Sequence, residues 1–164
     1  MSDISNISTP TIEQINAFES APSLVISALA GLSESQMHAV PVPGEWSIHE
    51  VVIHLGDSET FGFERLRKTI AEEKPILQVY DEDAWAKNLS YQQQERHFAL
   101  ALFSAQRRST AALLRMLPSE AWKRTAMHPE RGEISLYDIF TIYLEHGEIH
   151  LAQIEHIKQS LLSE

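Results

Sequence analysis

The 164-residue chain carries 13 basic and 23 acidic residues, a formal charge of −10 at pH 7, with 43% hydrophobic residues and no cysteine. This composition indicates one globular domain; it excludes disulfides, cysteine-based zinc sites and a cysteine nucleophile, and the charge argues against a nucleic-acid partner. Because no apolar run approaches 18 residues and no signal peptide is evident, we expect no membrane span and a cytoplasmic protein.

The first helical stretch follows a polar beginning. Residues 1–10 predict a flexible N-terminal tail, and residues 11–164 a single domain. From Thr11 to about Ala30, apolar residues recur at the three- and four-residue spacing of a helix, and Gly31 is suited to end it. Pro22 lies inside this stretch, where a proline lacks the N–H that a helix needs. We therefore expect a bend there, or two shorter helices.

The second helix has a recognisable beginning. Residues 32–46 form a connector, after which Ser47 and Glu50 have the Ser-x-x-Glu spacing of a capping box. We predict a helix from Ser47 to about Glu73. His54 lies at the edge of its apolar face, where a single histidine is commonly satisfied by water or by a backbone carbonyl.

A long connection separates the second helix from the third. Residues 74–89 contain the acidic run Asp81-Glu82-Asp83, and a loop of this length in a compact domain usually crosses an end of the domain or covers something. The third helix is predicted over about Ser90–Leu117. Residues 119–134 form another connector, with a short turn at its start.

The fourth helix carries the most informative pattern in the chain. Ser135 and Asp138 predict its capped start, and it runs to about Leu161. Apolar residues step along one face by three and four, and His146 and His150 occupy two positions of that face. The ring nitrogens of buried histidines need partners. A metal ion is one solution, and a hydrogen-bonded pair or a solvated pair are the others.

Three stretches resemble the motifs of a known family. They are Trp-Ser-Ile-His-Glu-Val-Val-Ile-His-Leu at 46–55, the connector 122–134, and His-Gly-Glu-Ile-His-Leu-Ala-Gln-Ile at 146–154. In this order and at this spacing, they are similar to motifs of the DinB-like (DinB/YfiT) superfamily of metal-binding helical bundles. The helix pattern fits that family over most of residues 11–161. The resemblance implies an all-α fold, a four-helix bundle with long connections.

The resemblance also implies a metal site. By position, His54, His146 and His150 would face one divalent ion, with water at the open positions. Family members bind zinc, nickel or another first-row metal, so we expect zinc or nickel here, with iron or manganese as further options. Three histidines and an open position are typical of a catalytic zinc rather than a structural one. The sequence assigns no catalytic residue beside these ligands.

Two functions follow as expectations. The first is a metal-dependent hydrolase or thiol-dependent S-transferase that acts on a small electrophile, with a low-molecular-weight thiol as cosubstrate because the chain has no cysteine. The alternative is a non-catalytic, metal-stabilised bundle that serves as a stress-related binding or dimerisation module. It is favoured by the lack of an evident acid or base beside the histidines. In either case we expect a homodimer, without nucleic acid or membrane.

Several other side chains are less favoured as ligands or catalytic groups of this site. Carboxylates near the histidines in sequence could orient a ligand, but most exposed acids do not; they are Asp57, Glu59, Glu145 and Glu148. Among the remaining histidines, His49 is expected at the helix start, away from the face of His54, and His128 is a candidate for the site's mouth. No partner is evident by spacing for His38, His97 and His156. Tyr143 is expected in the core, and Gln153 as a hydrogen-bonding residue rather than a ligand.

Overall fold

The computed structural model describes residues 8–162, so the predicted tail lies largely outside the described residues. The helices are α1 (Ile12–Ala28), α2 (Glu34–His38), α3 (Ile48–Ala71), α4 (Glu82–Asn88), α5 (Arg96–Leu114) and α6 (Leu136–Leu162). Helices α1 and α3 each pack against both α5 and α6, which makes a four-helix bundle. The predicted all-α fold with long connections is confirmed. No described helix combines the length and apolar content that crossing a membrane requires.

Side-chain caps set where the helices begin. The Ser47 hydroxyl accepts a hydrogen bond from the Glu50 N–H, and the Glu50 carboxylate accepts one from the Ser47 N–H. Ser135 and Asp138 form the same reciprocal pair before α6. Each pair satisfies N–H groups that a helix start would otherwise leave without partners. Both predicted capped starts are therefore present, and they belong to the two helices that carry the candidate ligands.

The alternative of two shorter helices is wrong, because α1 continues through Pro22 as one helix; the bend at Pro22 stays a prediction. Pro22 has no N–H to donate to the carbonyl oxygen of Phe18, four residues earlier. The side chain of Arg107, from α5, donates to that oxygen instead, with its Nη1 at 3.3 Å. A neighbouring helix thus replaces the hydrogen bond that the proline removes.

The apolar seam of α6 faces the bundle core, as its spacing predicts. Leu136, Ile139, Tyr143, Ile154 and Ile157 are all at most 5% exposed. The first three pack in a cluster with Phe18 of α1 and Leu66 of α3, and the last two in a second cluster with residues of α1, α3 and α5. The two histidines of α6 lie between these clusters in sequence, where α6 runs along α3.

The two long connectors contain more structure than the sequence indicates. The third bundle helix begins at Arg96 rather than Ser90, because Ser90 adopts a left-handed backbone (φ 52°) between α4 and a 3₁₀ turn at Tyr91–Gln93. After a 3₁₀ turn at Ser119–Lys123, the connector before α6 forms an antiparallel hairpin of β1 (Thr125–His128) and β2 (Gly132–Ser135).

The hairpin holds the earlier connector in place. Leu77 donates its N–H to the carbonyl oxygen of Met127 at 2.9 Å, and Met127 donates its N–H to that of Pro75 at 2.8 Å. Arg65 of α3 adds a hydrogen bond from its Nε to the carbonyl oxygen of Gln78 at 3.1 Å. The chain that leads to α4 is therefore tied to β1 and to α3.

Candidate metal centre

The Nε2 atoms of three histidines converge between α3 and α6. His146 Nε2 lies 3.1 Å from His54 Nε2 and 3.1 Å from His150 Nε2. The three candidate ligand atoms all lie within 4.8 Å of one another. For comparison, two nitrogens bound to one zinc ion at tetrahedral angles are about 3.3 Å apart, given Zn–N bonds of 2.0–2.1 Å. The spacing around His146 fits a single shared ion.

Hydrogen bonds among the three rings cannot satisfy both short contacts. Each Nε2 offers either one N–H or one lone pair in the ring plane. His146 Nε2 can therefore donate to one neighbour or accept from one, but not pair with both at 3.1 Å. One of the two 3.1 Å contacts is therefore left without a directed hydrogen bond. A cation bound by all three lone pairs removes this conflict, so the donor set fits a metal ion.

Gln153 fixes the tautomer of His150. The Gln153 Oε1 atom lies 2.8 Å from His150 Nδ1, and a carbonyl oxygen can only accept, so Nδ1 carries the proton. The neutral ring then has a free lone pair on Nε2, which faces the other two histidines. Metal-binding histidines commonly have such an outer partner. The expected role of Gln153, a hydrogen-bonding residue rather than a ligand, agrees with this geometry.

Burial keeps the three rings neutral. It lowers the pKa of His54 to about 3, with a smaller contribution from His150. It lowers the pKa of His146 to about 2, with further contributions from His150, His54 and Arg107. Burial also lowers the pKa of His150. Protons therefore do not compete for the ligand lone pairs near neutral pH.

His54 is enclosed on its other sides. Its side chain is fully buried, and the Trp46 ring packs against it with 4.7 Å between ring centroids. Its Nδ1 atom is buried without a hydrogen-bond partner. A buried imidazole without a partner at Nδ1 is stabilised most by a strong partner at its other nitrogen, Nε2. That nitrogen faces the proposed ion position.

A carboxylate from α4 lies at the edge of the three-histidine cluster. Glu82 Oε2 is 3.9 Å from His54 Nε2, while its side chain remains 60% exposed. Burial, and then the adjacent Asp83 and Asp81, raise the pKa of Glu82. The Ser58 hydroxyl lies 3.5 Å from His146 Nε2. The site thus has one acidic group beside it.

A cavity of about 490 Å³ opens at this edge. Its lining comes from three parts of the chain, namely Gly44, Glu45 and Trp46 before α3, Glu82 and Asp83 of α4, and His150 and Gln153 of α6. Its volume falls within the range of small-molecule sites. Because His150 and its partner Gln153 line the cavity, a small molecule in it would reach the histidine cluster.

Most of the lower-ranked side chains lie elsewhere. Asp57 accepts a hydrogen bond from the Tyr91 hydroxyl at 2.7 Å. The expectation that Glu59 is an exposed carboxylate is wrong, because its side chain is 1% exposed and pairs with Arg107. Glu145 and Glu148 are exposed, whereas Tyr143 is in the core as expected.

The other histidines do not join the cluster. His49 is buried near the start of α3, where its ring stacks on that of His38 with 4.1 Å between centroids. His38 therefore has a partner that its spacing does not indicate. His128 is buried in β1, accepts a hydrogen bond from the Glu130 N–H and does not line the cavity. His97 and His156 are exposed.

Sequence reasoning missed Glu82 as a neighbour of the site. Its acidic run and the long connector were visible, and the connector was expected to cover something. Nothing in the spacing indicates which carboxylate faces His54. That depends on α4, whose first turn Asp81 caps by accepting from the Ala84 N–H. Glu82 is the first residue of this helix, which places it beside α3.

Comparisons with known proteins identify the family of the chain. The model of the DinB superfamily matches residues 17–154 of the chain. A protein of Oceanobacillus iheyensis, named as a putative metal-dependent hydrolase, is 35% identical over 142 residues, which cover 87% of this chain and 82% of that protein.

Two solved structures have similar folds. YfiT from Bacillus subtilis, described as a probable metal-dependent hydrolase with an unusual four-helix bundle topology, superposes with a TM-score of 0.88 at 27% identity and covers 98% of this chain and 93% of its own. A mycothiol-dependent maleylpyruvate isomerase gives a TM-score of 0.66 at 12% identity, over 88% of this chain and 62% of its own. The second likeness concerns the fold alone.

Proposed function

The chain belongs to the DinB superfamily, and from that premise we propose that it is a metal-dependent hydrolase of a small electrophile, with a divalent first-row ion held by His54, His146 and His150. The observation that carries the proposal is the convergence of three histidines, whose candidate ligand nitrogens lie within 4.8 Å of one another, beside a cavity that His150 lines. The similar proteins named as metal-dependent hydrolases support the reaction class.

The bound ion would polarise a carbonyl or similar electrophile, and it would lower the pKa of a bound water or thiol. The chain's own groups do the rest. Gln153 holds His150 with its Nε2 lone pair toward the ion. Trp46 covers His54 and limits water on that side. Glu82 Oε2, at 3.9 Å from His54 Nε2, is placed to accept the proton that the nucleophile releases.

Thiol-dependent transfer is the second reaction that this site could perform. Glu82 can accept a proton from a thiol as well as from water, and a thiol must come from outside because the chain has no cysteine. The mycothiol-dependent isomerase shares the fold, which makes this variant of the proposal worth a direct assay. Turnover with and without an added low-molecular-weight thiol separates the two.

The test begins with the metal. Protein loaded with zinc, nickel, iron or manganese and then desalted is expected to retain one ion per chain, and His146→Ala is expected to lose it. His156→Ala, which removes an exposed histidine of the same helix, is the matched control and should retain the ion. Failure of the unaltered protein to bind any of the four metals would overturn the proposal.

Activity is tested on the loaded protein. Esters, thioesters and amides of small acids are supplied with and without thiol, and Glu82→Gln is compared with the unaltered protein. We expect Glu82→Gln to reduce kcat at least about 100-fold, the lower end of the usual contribution of a general base, and to keep one ion per chain. Stoichiometric metal without turnover of any member would instead favour the non-catalytic metal-stabilised bundle.

We also propose that residues 11–164 form a single domain. The two large core clusters each combine residues of α1, α3 and α5 with residues of α6, so the main core spans the described chain from α1 to α6. Limited proteolysis is expected to leave residues 11–162 without an internal cut. A stable internal fragment would contradict this.

A further inference from the structure

A buried hydroxyl beside the histidine cluster has no task in the proposed reaction so far. Ser58 follows His54 by one turn of α3 and is 4% exposed, and its Oγ atom lies 3.5 Å from His146 Nε2. Two other hydroxyls of α3, those of Thr60 and Thr69, donate to carbonyl oxygens four residues earlier in the same helix. The Ser58 hydroxyl instead reaches across to α6, at the nitrogen that would bind the ion.

The contact between Ser58 and His146 is not compatible with a bound ion. At 3.5 Å it is already at the long limit of an O–H···N hydrogen bond. His146 Nε2 has one lone pair, which an ion would take. The Ser58 hydrogen then needs another acceptor, because a buried hydroxyl without a hydrogen bond is costly.

A tyrosine of the connector before α4 contacts the same hydroxyl. Tyr80 and Ser58 share a hydrogen bond; burial raises the pKa of Tyr80 more than this bond lowers it, so the phenol keeps its proton. A phenol is a better donor and a poorer acceptor than an aliphatic hydroxyl, which favours donation from Tyr80 to Ser58. The Tyr80 ring is held by Phe61 and Trp85, with 4.1 Å and 5.1 Å between centroids. The hydrogen of Ser58 is thereby left for a group at the cluster.

We propose that Ser58 donates a hydrogen bond to the substrate oxygen on which negative charge develops, and that Tyr80 holds Ser58 in the donating orientation. The inference rests on the proposed function, since it assigns two further residues to the same reaction. Ser58 would touch the reacting oxygen, whereas Tyr80 is a positioning residue. A buried donor that is fixed before the reaction stabilises such charge without having to reorganise.

The test measures binding, so it does not require a known substrate. Cobalt-loaded protein reports ligands of the ion through its visible absorption, and two probes are titrated into it. Acetohydroxamate presents a charged oxygen that accepts hydrogen bonds, whereas imidazole has no acceptor left once the ion holds its lone pair. We expect Ser58→Ala to weaken acetohydroxamate binding at least about tenfold, as for a lost hydrogen bond to a charged group, and imidazole binding less than about twofold.

Tyr80→Phe tests the positioning role, because it keeps the stacked ring and removes only the hydroxyl. We expect it to weaken acetohydroxamate binding about threefold, and to cause no further loss when it is combined with Ser58→Ala. Independent losses that multiply in the double variant would overturn the role of Tyr80.

Matched controls remove the same hydroxyls elsewhere. Ser104→Ala changes a partly buried serine of α5, a helix that supplies none of the three histidines, and Tyr137→Phe changes a partly buried tyrosine near the start of α6. Both should leave the two affinities unchanged. If Ser58→Ala weakened imidazole as much as acetohydroxamate, the hydroxyl would have a structural role and the proposal would be overturned.

Metal content separates this inference from the proposed function. Each variant is expected to retain one cobalt ion per chain, because neither hydroxyl is a ligand. Loss of the ion from Ser58→Ala would show that the hydroxyl serves the metal site and would overturn the inference. If the unaltered protein bound no ion, the proposed function would fail and the role of Ser58 with it. If the variants kept the ion and acetohydroxamate binding did not depend on Ser58, only this inference would fail.

Discussion

Arg107 donates from its Nη1 to the carbonyl oxygen of Phe18, the oxygen that Pro22 leaves without a helical partner. The same guanidinium donates from Nη2 to the carbonyl oxygen of Tyr143 at 2.6 Å and from Nε to Glu59 Oε2 at 2.7 Å. A fully buried side chain of α5 thus joins α1, α3 and α6. Tyr143 precedes His146 by one turn, so this contact also positions the part of α6 that carries the site.

Replacing Arg107 with methionine should be strongly destabilising. The change leaves the buried Glu59 without its partner and leaves the Phe18 carbonyl without a donor. We expect the free energy of unfolding to fall by about 3–5 kcal/mol, as for other broken buried pairs. Urea denaturation measures the loss. Arg108→Met, at an exposed position next to it, should cost less than about 0.5 kcal/mol.

Arg107→Met removes both the ion pair with Glu59 and the hydrogen bond to Phe18. A compensating change separates the contributions of these two losses to the destabilisation. Pro22→Ala restores an N–H for Phe18, so in the Arg107→Met background it should recover part of the lost stability. In the unaltered protein the same change should add little stability, because Arg107 already donates a hydrogen bond to that oxygen. Equal effects of Pro22→Ala in both backgrounds would show that the Phe18 contact contributes nothing.

Removing the outer partner of His150 should weaken metal binding. Gln153→Leu leaves the Nδ1–H of His150 without an acceptor and lets the ring rotate or change tautomer. Losses of an outer-shell partner commonly cost about 10–100-fold in affinity, and we expect that range for zinc. Competition with a chromophoric chelator gives the value. Gln153→Glu keeps an acceptor and should retain affinity, whereas a fully silent Gln153→Leu would contradict the assignment.

The stability of the metal-free protein should depend on pH below about 6.5. The pKa of His54 is lowered to about 3 and that of His146 to about 2, from 6.5, so the folded state binds fewer protons than the unfolded state in this range. The free energy of unfolding therefore falls as the pH drops, by at most about 1.4 kcal/mol per unit for each histidine.

Thermal unfolding of the metal-free protein from pH 7.5 to pH 5 measures this dependence. His54→Leu should flatten the curve, because the substituted residue cannot take up a proton in the unfolded state. Zinc affinity should change little from pH 7.5 to pH 6, since the folded ligands remain neutral. A tenfold loss of affinity over that interval would mean that the ligands titrate normally.

Helix α3 packs tightly against Tyr143 of α6 at Gly62. A Cβ atom there would lie 2.6 Å from Cδ1 of Tyr143, so alanine cannot be accommodated without moving that ring. Gly62→Ala should cost about 1–3 kcal/mol by overpacking and should also weaken metal binding, because Tyr143 and His146 are neighbours on α6. Gly56→Ala, whose Cβ would meet Ala99 at 3.1 Å, is the control for overpacking on the other side of α3.

The sequence predicts those features that depend on local periodicity. The seam from Leu136 to Ile157 and the caps at Ser47 and Ser135 follow from spacing and hydrogen-bonding chemistry, and the family resemblance adds His54 opposite the α6 pair. The burial of Glu59 and the continuity of α1 through Pro22 could not be predicted, because both depend on Arg107, a residue 48 positions beyond Glu59. Glu82 was missed because the path of its connector is set by contacts with β1 and Arg65.

Those contacts have a consequence for how molecules enter and leave. The connector before α4 is hydrogen-bonded to Met127 and Arg65, and its Tyr80 ring stacks on Phe61 of α3 with 4.1 Å between centroids. A segment anchored at so many points does not swing open as a lid. The wall of the cavity that α4 forms is therefore held in place, and we expect the size of a molecule to decide whether it enters.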